Sequence, residues 1–210
     1  MATAKSMKVV GISTSPRIRS NSDTLLRQAL AGAESVKAET LYVRLSDYHI
    51  EPCIACNACS ATGVCPIPDD YPLLLQEMLN ADRLVFATPL FFMSVCAQAK
   101  MLIDRGQCLW VHKYLLNKQL FPLERDRRAM VIAVGGSKSK KQFESVRLTM
   151  KSYFDALQMS YALNLFVRKI DAPGEIEKHP SALKEAFRLG RELVAIDAPP
   201  PDKPINVALT

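Results

Sequence analysis

The sequence predicts an α/β protein, a twisted parallel sheet with helices packed on both faces. Three observations carry the prediction. Short β-branched apolar runs of strand length alternate with segments of helical periodicity along the chain. Loops rich in hydroxyl residues, glycine or proline follow several of those runs. A chain of 210 residues, 49% hydrophobic and 23% charged, is sufficient for one domain with a buried core.

Lys8–Ile12 has the length and branching of a first buried strand. The hydroxyl-rich loop from Ser13 to Ser22 leads into a helix over Asp23–Glu34, capped by Ser20, Asn21 or Ser22. Leu26, Ala29, Leu30 and Ala33 share one face of that helix. Glu39–Arg44 is the second strand, followed by a cysteine-rich loop. Asp69 and Asp70 stand at the start of a helix over Tyr71–Asn80, where carboxylates suit the helix dipole. Leu84–Ala87, Ala129–Val134 and Ser160–Val167 are the third, fourth and fifth strands. Helices over Val95–Asp104, Phe143–Leu157 and Ser181–Ile196 complete the alternation. Residues 1–197 read as one domain and 198–210, with Pro199, Pro200, Pro201 and Pro204, as an extended tail suited to gripping a neighbouring subunit. Five strands fit the flavodoxin-like order 2-1-3-4-5, which places a ligand beyond the C-terminal ends of strands 1 and 3.

Composition excludes other classes. The apolar stretch Leu84–Ala99 is interrupted by Thr88, Pro89, Ser94 and Gln98 and is too short for a bilayer span. The N-terminus meets Gly11 and a Ser/Thr cluster before a signal-peptide core can form, so the expectation is a cytoplasmic protein with reduced thiols and no membrane partner. Between Lys100 and Lys151, twelve Lys and Arg face four Asp and Glu. Such a basic stretch suits a solvated face, a phosphorylated cofactor or an acidic protein. No nucleic-acid motif accompanies it. His49, His112 and His179 lie on separate segments without a Ser/Asp or Cys partner pattern, which argues against a histidine-based hydrolase.

Three segments carry unusual chemistry. Ser13, Ser15, Arg17, Ser20, Asn21 and Ser22 cluster where a strand feeds a helix, and a helix N-terminus with added hydroxyls and charge can close around a phosphate. Neither a Walker loop nor a Gly-x-Gly-x-x-Gly turn is present. The loop containing Pro89, Leu90, Phe91, Phe92, Met93 and Ser94 presents large apolar groups near the same rim, a platform for a flat ring such as a flavin, with Gly135 and Gly136 after strand 4 nearby.

Cys53, Cys56, Cys59 and Cys65 fall within thirteen positions, three of them at spacing three. A [4Fe–4S] cluster takes four thiolates from such a run, and Gly63 permits the turn that returns Cys65. Free thiols, a redox-active disulfide and zinc are the other chemistries open to this segment. Cys96 and Cys108 look structural.

Taken together, Gly11-x-Ser13…Ser15-Pro16-Arg17…Ser20-Asn21, Pro52-Cys53-x-x-Cys56-x-x-Cys59…Cys65…Asp69-Asp70, Thr88-Pro89…Phe92…Ser94…Lys100…Asp104-Arg105 and Val134-Gly135-Gly136 resemble the iron–sulfur flavoproteins. These belong to the wider NADPH-dependent FMN reductase group, and the likeness covers residues 8–170. The resemblance implies FMN, a [4Fe–4S] cluster near it, and a homodimer or homotetramer in which cluster and flavin of adjacent subunits communicate. Two departures stand out. Met93 replaces a glycine common in the family, which predicts a more crowded flavin face, and the connection 106–128 is long enough for a lid or a dimer contact.

The expected activity is an FMN-dependent oxidoreductase passing electrons between NAD(P)H or a reduced carrier and an acceptor. No side chain is assigned acid–base catalysis, because the cofactor supplies the hard chemistry. The alternatives are a cluster-free NAD(P)H:FMN or quinone reductase, and a non-enzymatic carrier docking an acidic, ferredoxin-like partner through the basic 100–151 region.

Overall fold

Alternating apolar runs and amphipathic segments form an open parallel sheet between two helical layers. A computed structural model describes residues 6–122, 125–195 and 197–210. The elements are β1 (Lys8–Ser13), α1 (Asn21–Glu34), β2 (Glu39–Arg44), α2 (Tyr71–Asn80), β3 (Arg83–Phe91) and β4 (Ser94–Val95). They continue with α3 (Ala97–Arg105), α4 (Gln107–Trp110), β5 (Arg128–Gly135), α5 (Glu144–Ala156), β6 (Ser160–Arg168), α6 (Ala182–Ala195) and β7 (Ile205–Leu209). Ile196, expected to end the last helix, lies outside the described residues.

Among the described residues the sheet has seven strands, in the order β2-β1-β3-β5-β6-β7, with β4 paired only to β3. The five expected strands keep their expected relative order, but five is a correction on two counts. The third strand runs on to Phe91 and folds back as an antiparallel hairpin, Leu90 opposite Val95 and Phe91 opposite Ser94. The tail is also a strand: Val207 pairs with Leu165 and Leu209 with Val167, parallel to β6 of its own chain. Its prolines carry no N–H, so they cross from α6 to the sheet edge with fewer backbone donors to satisfy.

Period-two alternation divides the core. Val10, Ile12, Leu84 and Phe86 pack against Leu74, Met78, Leu102, Met150 and Phe154 of α2, α3 and α5. Val9, Val85 and Ile132 face Leu25, Leu26 and Ala29 of α1 and Leu189 and Leu193 of α6. Each such side chain, fully buried, contributes about 1.5–3 kcal/mol of transfer free energy. Every residue of β5 is buried, as its unbroken apolar run requires of a central parallel strand.

The basic stretch is less of a surface than its charge count suggests. Arg105, Arg127 and Arg128 are buried. Arg127 donates to the carbonyls of Met78, Ala81 and Leu157 at the lower edge of the sheet. Burial, with Arg125 nearby, pushes its pKa down to about 10. No described helix is long and apolar enough to cross a membrane.

Candidate cofactor site

The strand order reverses between β1 and β3, so the loops leaving their C-terminal ends diverge and leave a crevice. Thr14 pins the first loop to the neighbouring strand: its N–H and its hydroxyl both donate to the Ala87 carbonyl, at 3.0 and 2.9 Å. Ser20 caps α1 by accepting the Asp23 N–H at 3.2 Å, and its hydroxyl lies 3.2 Å from that of Ser22. Ser15 accepts the N–H of Arg17 at 3.2 Å.

One cleft is lined by Ser15, Arg17, Ser20, Asn21 and Ser22, by Pro89, Leu90 and Phe91, and by Val134, Gly135 and Gly136. All three expected loops therefore meet. Ser13 is buried at the end of β1 beneath them. Asn21 lines the cleft as a strut: its amide nitrogen donates to the Ala172 carbonyl at 2.9 Å and its oxygen accepts the Ile176 N–H at 3.2 Å. Gly135 is a point of close approach, since a Cβ there would stand 2.4 Å from Gln142 Oε1 and 3.2 Å from Leu90 Cβ.

Phe92, Met93 and Ser94 are not among the cleft's lining residues. Phe92 and Met93 form the two-residue tip of the β3–β4 hairpin with φ of 48° and 63°, and Phe92 is fully exposed. Left-handed conformations favour glycine, so Phe92 and Met93 hold an unusual backbone at this tip. Met93 stands at the hairpin tip, outside the lining of the cleft. A fourth wall went unread in the sequence: Ile170, Asp171 and Pro173, in the loop after β6. The turn signal Asp171-Ala172-Pro173-Gly174 after a strand was the available clue.

The cysteine segment lies between β2 and α2, close to the N-terminal end of the latter. All six cysteines of the chain are free thiols. Ala55, Asn57 and Gly63 take left-handed backbone conformations, so the loop winds tightly, and the Cys59 carbonyl accepts the N–H groups of Thr62 and Gly63 at 3.2 and 2.8 Å. Cys59 is the buried centre: desolvation pushes its thiol pKa up, and the proximity of Cys65, Cys56 and Cys53 adds to that rise. Among the described residues no group of three or more His, Cys, Asp or Glu could hold a metal ion. Cys59 with its three neighbours Cys53, Cys56 and Cys65 puts four free thiols in one loop, the donor number that an iron–sulfur cluster takes.

Asp69 and Asp70 close the segment. Asp70 accepts the His49 N–H at 2.8 Å, and Asp69 accepts those of Glu51 at 2.8 Å and Tyr71 at 3.0 Å. The carboxylates thus tie the entry of the loop to its exit. None of the described residues of the connection 106–128 lines the cleft. Its α4 and the following π-helix, Val111–Leu115, pack against the turn at Ala58–Ser60, and Lys113 and Tyr114 bond Asp155 of α5. Cys96 and Cys108 are buried and donate to the carbonyls of Thr14 and Arg105.

An open parallel sheet whose switch-point loops enclose a cleft defines the flavodoxin-like class. The profile of the NADPH-dependent FMN reductase family matches residues 7–169, and the chain belongs to this oxidoreductase family. An iron–sulfur flavoprotein of Methanocaldococcus jannaschii is 43% identical over 53% of this chain and 58% of its own length, so the match spans little more than half of that relative. A Bacillus subtilis protein described as a putative NAD(P)H-dependent FMN-containing oxidoreductase is 30% identical over 90% of this chain and its whole length. Among solved structures, an NAD(P)H:quinone oxidoreductase from Methanothermobacter marburgensis superposes with a TM-score of 0.65, at 19% identity, over 92% of this chain and 100% of that one, which establishes the shared fold.

Proposed function

We propose that the chain is an FMN-dependent oxidoreductase that passes electrons between NAD(P)H, or a reduced carrier, and an acceptor, with a [4Fe–4S] cluster on Cys53, Cys56, Cys59 and Cys65. One observation carries the flavin part: three loops from three strands line a single cleft, with hydroxyls at a helix N-terminus on one side and apolar groups on the other. Ser15, Ser20 and Ser22 hold the phosphate with the first-turn N–H groups of α1, and Arg17 adds charge at the mouth. Pro89, Leu90 and Phe91 flank the ring, and Gly135 and Gly136 let it approach the backbone. Bound FMN supplies hydride transfer and the cluster one-electron transfer, so the pair would convert two-electron into one-electron chemistry.

The cluster reading is supported by the four free thiols and by the relatives named iron–sulfur flavoproteins. A cluster-free reductase is the second reading, favoured by the Bacillus relative that matches nearly the whole chain. A homodimer or homotetramer is proposed on the exposed Phe92, Met93, Trp110 and Tyr114. An acidic, ferredoxin-like carrier would meet Lys138, Lys140 and Lys141, exposed just beyond β5.

Anaerobic purification followed by absorbance, iron and acid-labile sulfide analysis tests both parts. Flavin bands with a broad brown shoulder are expected, and Cys59→Ala should erase the shoulder while leaving the flavin bands. Protein that stays colourless when given FMN defeats the flavin assignment. Flavin without iron or sulfide selects the cluster-free reductase. Turnover with NADH or NADPH separates an enzyme from a carrier.

A further inference from the structure

A second cavity, of about 760 Å³, lies at the far end of the sheet from the cofactor cleft, and its size suits a small organic ligand. Arg128 begins β5 and lines this cavity, whereas Gly135 ends β5 and lines the cleft. The eight residues of that strand set the two roughly 23 Å apart. One side of the cavity is built of arginine. Arg128 is only 4% exposed; its Nε donates to Asp126 at 2.8 Å and its Nη2 to the Ala198 carbonyl at 2.6 Å. Among the described residues its Nη1 is buried without a partner. Arg127, buried beside it, donates to backbone carbonyls alone and makes no ion pair among the described residues. Arg125 pairs with Asp82 at 3.1 Å, while Arg83 and Arg128 share Asp126. Four guanidinium groups therefore meet two carboxylates. Around the remaining wall the charges balance: Lys151 and Lys203 stand with Asp155, Asp197 and Asp202, and Lys113 already bonds Asp155.

Buried cations in excess of their counterions favour an anion between them. A phosphate monoester fits this excess, since it carries about −1.5 to −2 charges at pH 7 and three strong acceptor oxygens. A guanidinium fork matches such oxygens. The rest of the lining suits an apolar body. The Phe121 ring lies 4.5 Å from the Arg125 guanidinium and 4.2 Å from that of Arg127, and Met159 and Pro200 add apolar surface. We propose that this cavity is a second ligand site, which takes a phosphate monoester with an apolar or ring-shaped body, the phosphate facing Arg128 in the field of Arg127. The site stands apart from the cofactor cleft and depends on neither the flavin nor the cluster. The tail from Asp197 to Pro204 forms one wall and continues into β7, so an occupant also ties that covering strand to the sheet edge.

The test uses the full chain labelled with ¹⁵N-arginine, whose Nε–H resonances are assigned by through-bond correlation to the backbone. Adenosine 5′-monophosphate and inorganic phosphate are the probes, and adenosine is the control without the charge. Adenosine monophosphate should shift the Arg127 and Arg128 resonances along one saturable curve, phosphate should shift them in the same direction, and adenosine should leave them fixed. Arg128→Lys should weaken binding of adenosine monophosphate about tenfold, read at Arg127. Resonances of Arg127 and Arg128 that stay fixed at millimolar concentrations of both probes overturn the proposal. Shifts confined to Arg17 and Arg19 also overturn it, by placing the phosphate in the cofactor cleft, and leave the flavin reading standing. Equal shifts with adenosine, or an unchanged affinity in a folded Arg128→Lys, overturn the recognition of phosphate. Where that variant does not fold, the wild-type titrations decide alone.

Discussion

Asp69 accepts hydrogen bonds from Arg105 and from two backbone N–H groups, with no exposed side-chain surface. Burial pushes its pKa up, but the bonds from Arg105, Glu51 and Tyr71 outweigh it and hold the carboxyl below its ordinary value. A carboxylate with a depressed folded pKa contributes stability that is complete above the unfolded value of about 3.9 and is lost as pH falls through the folded one. Asp69→Asn strands the Arg105 charge, and the expected loss at neutral pH is about 3–5 kcal/mol. Urea unfolding at neutral pH and at about pH 3 checks this: the gap between variant and wild type should narrow in acid. A variant as stable as wild type at neutral pH would show that the pair contributes nothing to folding.

At the scale of elements, the crossing of α1 and α6 sets how closely the second helical layer sits on the sheet. Gly190 of α6 lies against the backbone of Ala29, where an added Cβ would fall 1.9 Å from the carbonyl oxygen. Gly32 of α1 faces Phe187 in the same way, at 2.0 Å. Neither contact ends on a flexible side chain, so the helices themselves must separate. Gly190→Ala is expected to cost about 1–3 kcal/mol through overpacking, despite the better helix propensity of alanine. Chemical denaturation measures the loss, and a stabilised variant would mean that the crossing is looser than described. The β3–β4 hairpin makes the opposite compromise. Phe92 and Met93 occupy left-handed positions at an exposed tip, where Asn-Gly would be unstrained.

For the whole molecule, the sheet edge is the consequential feature. β6 is buried along most of its length because β7 covers its outer edge, and Val207 and Leu209 add to the core beneath α6. The tail also receives Arg128, whose Nη2 donates to the Ala198 carbonyl at 2.6 Å. Deleting residues 198–210 uncovers a long apolar edge strand, a template for pairing with another chain. The expected result is a lower thermal midpoint and concentration-dependent aggregation, followed by differential scanning fluorimetry and light scattering. A truncated protein that stays monodisperse and equally stable would refute the role assigned to β7.

The sequence alone determined the alternation of strands and helices, the relative order of five strands, and the loops that meet at the cleft. These are local properties: periodicity, branching and hydroxyl or cysteine spacing are written in contiguous residues. Tertiary structure decided what depends on partners distant in the chain. The tail became a strand because β6 offered an open edge, and Asp171 joined the cleft because the loop after β6 lies beside β5. Likewise, Arg105 turned from one charge in a basic stretch into a buried guanidinium, because Asp69, thirty-six residues away, neutralises it. Burial and pairing are sums over space, and a single chain read in order records only the order.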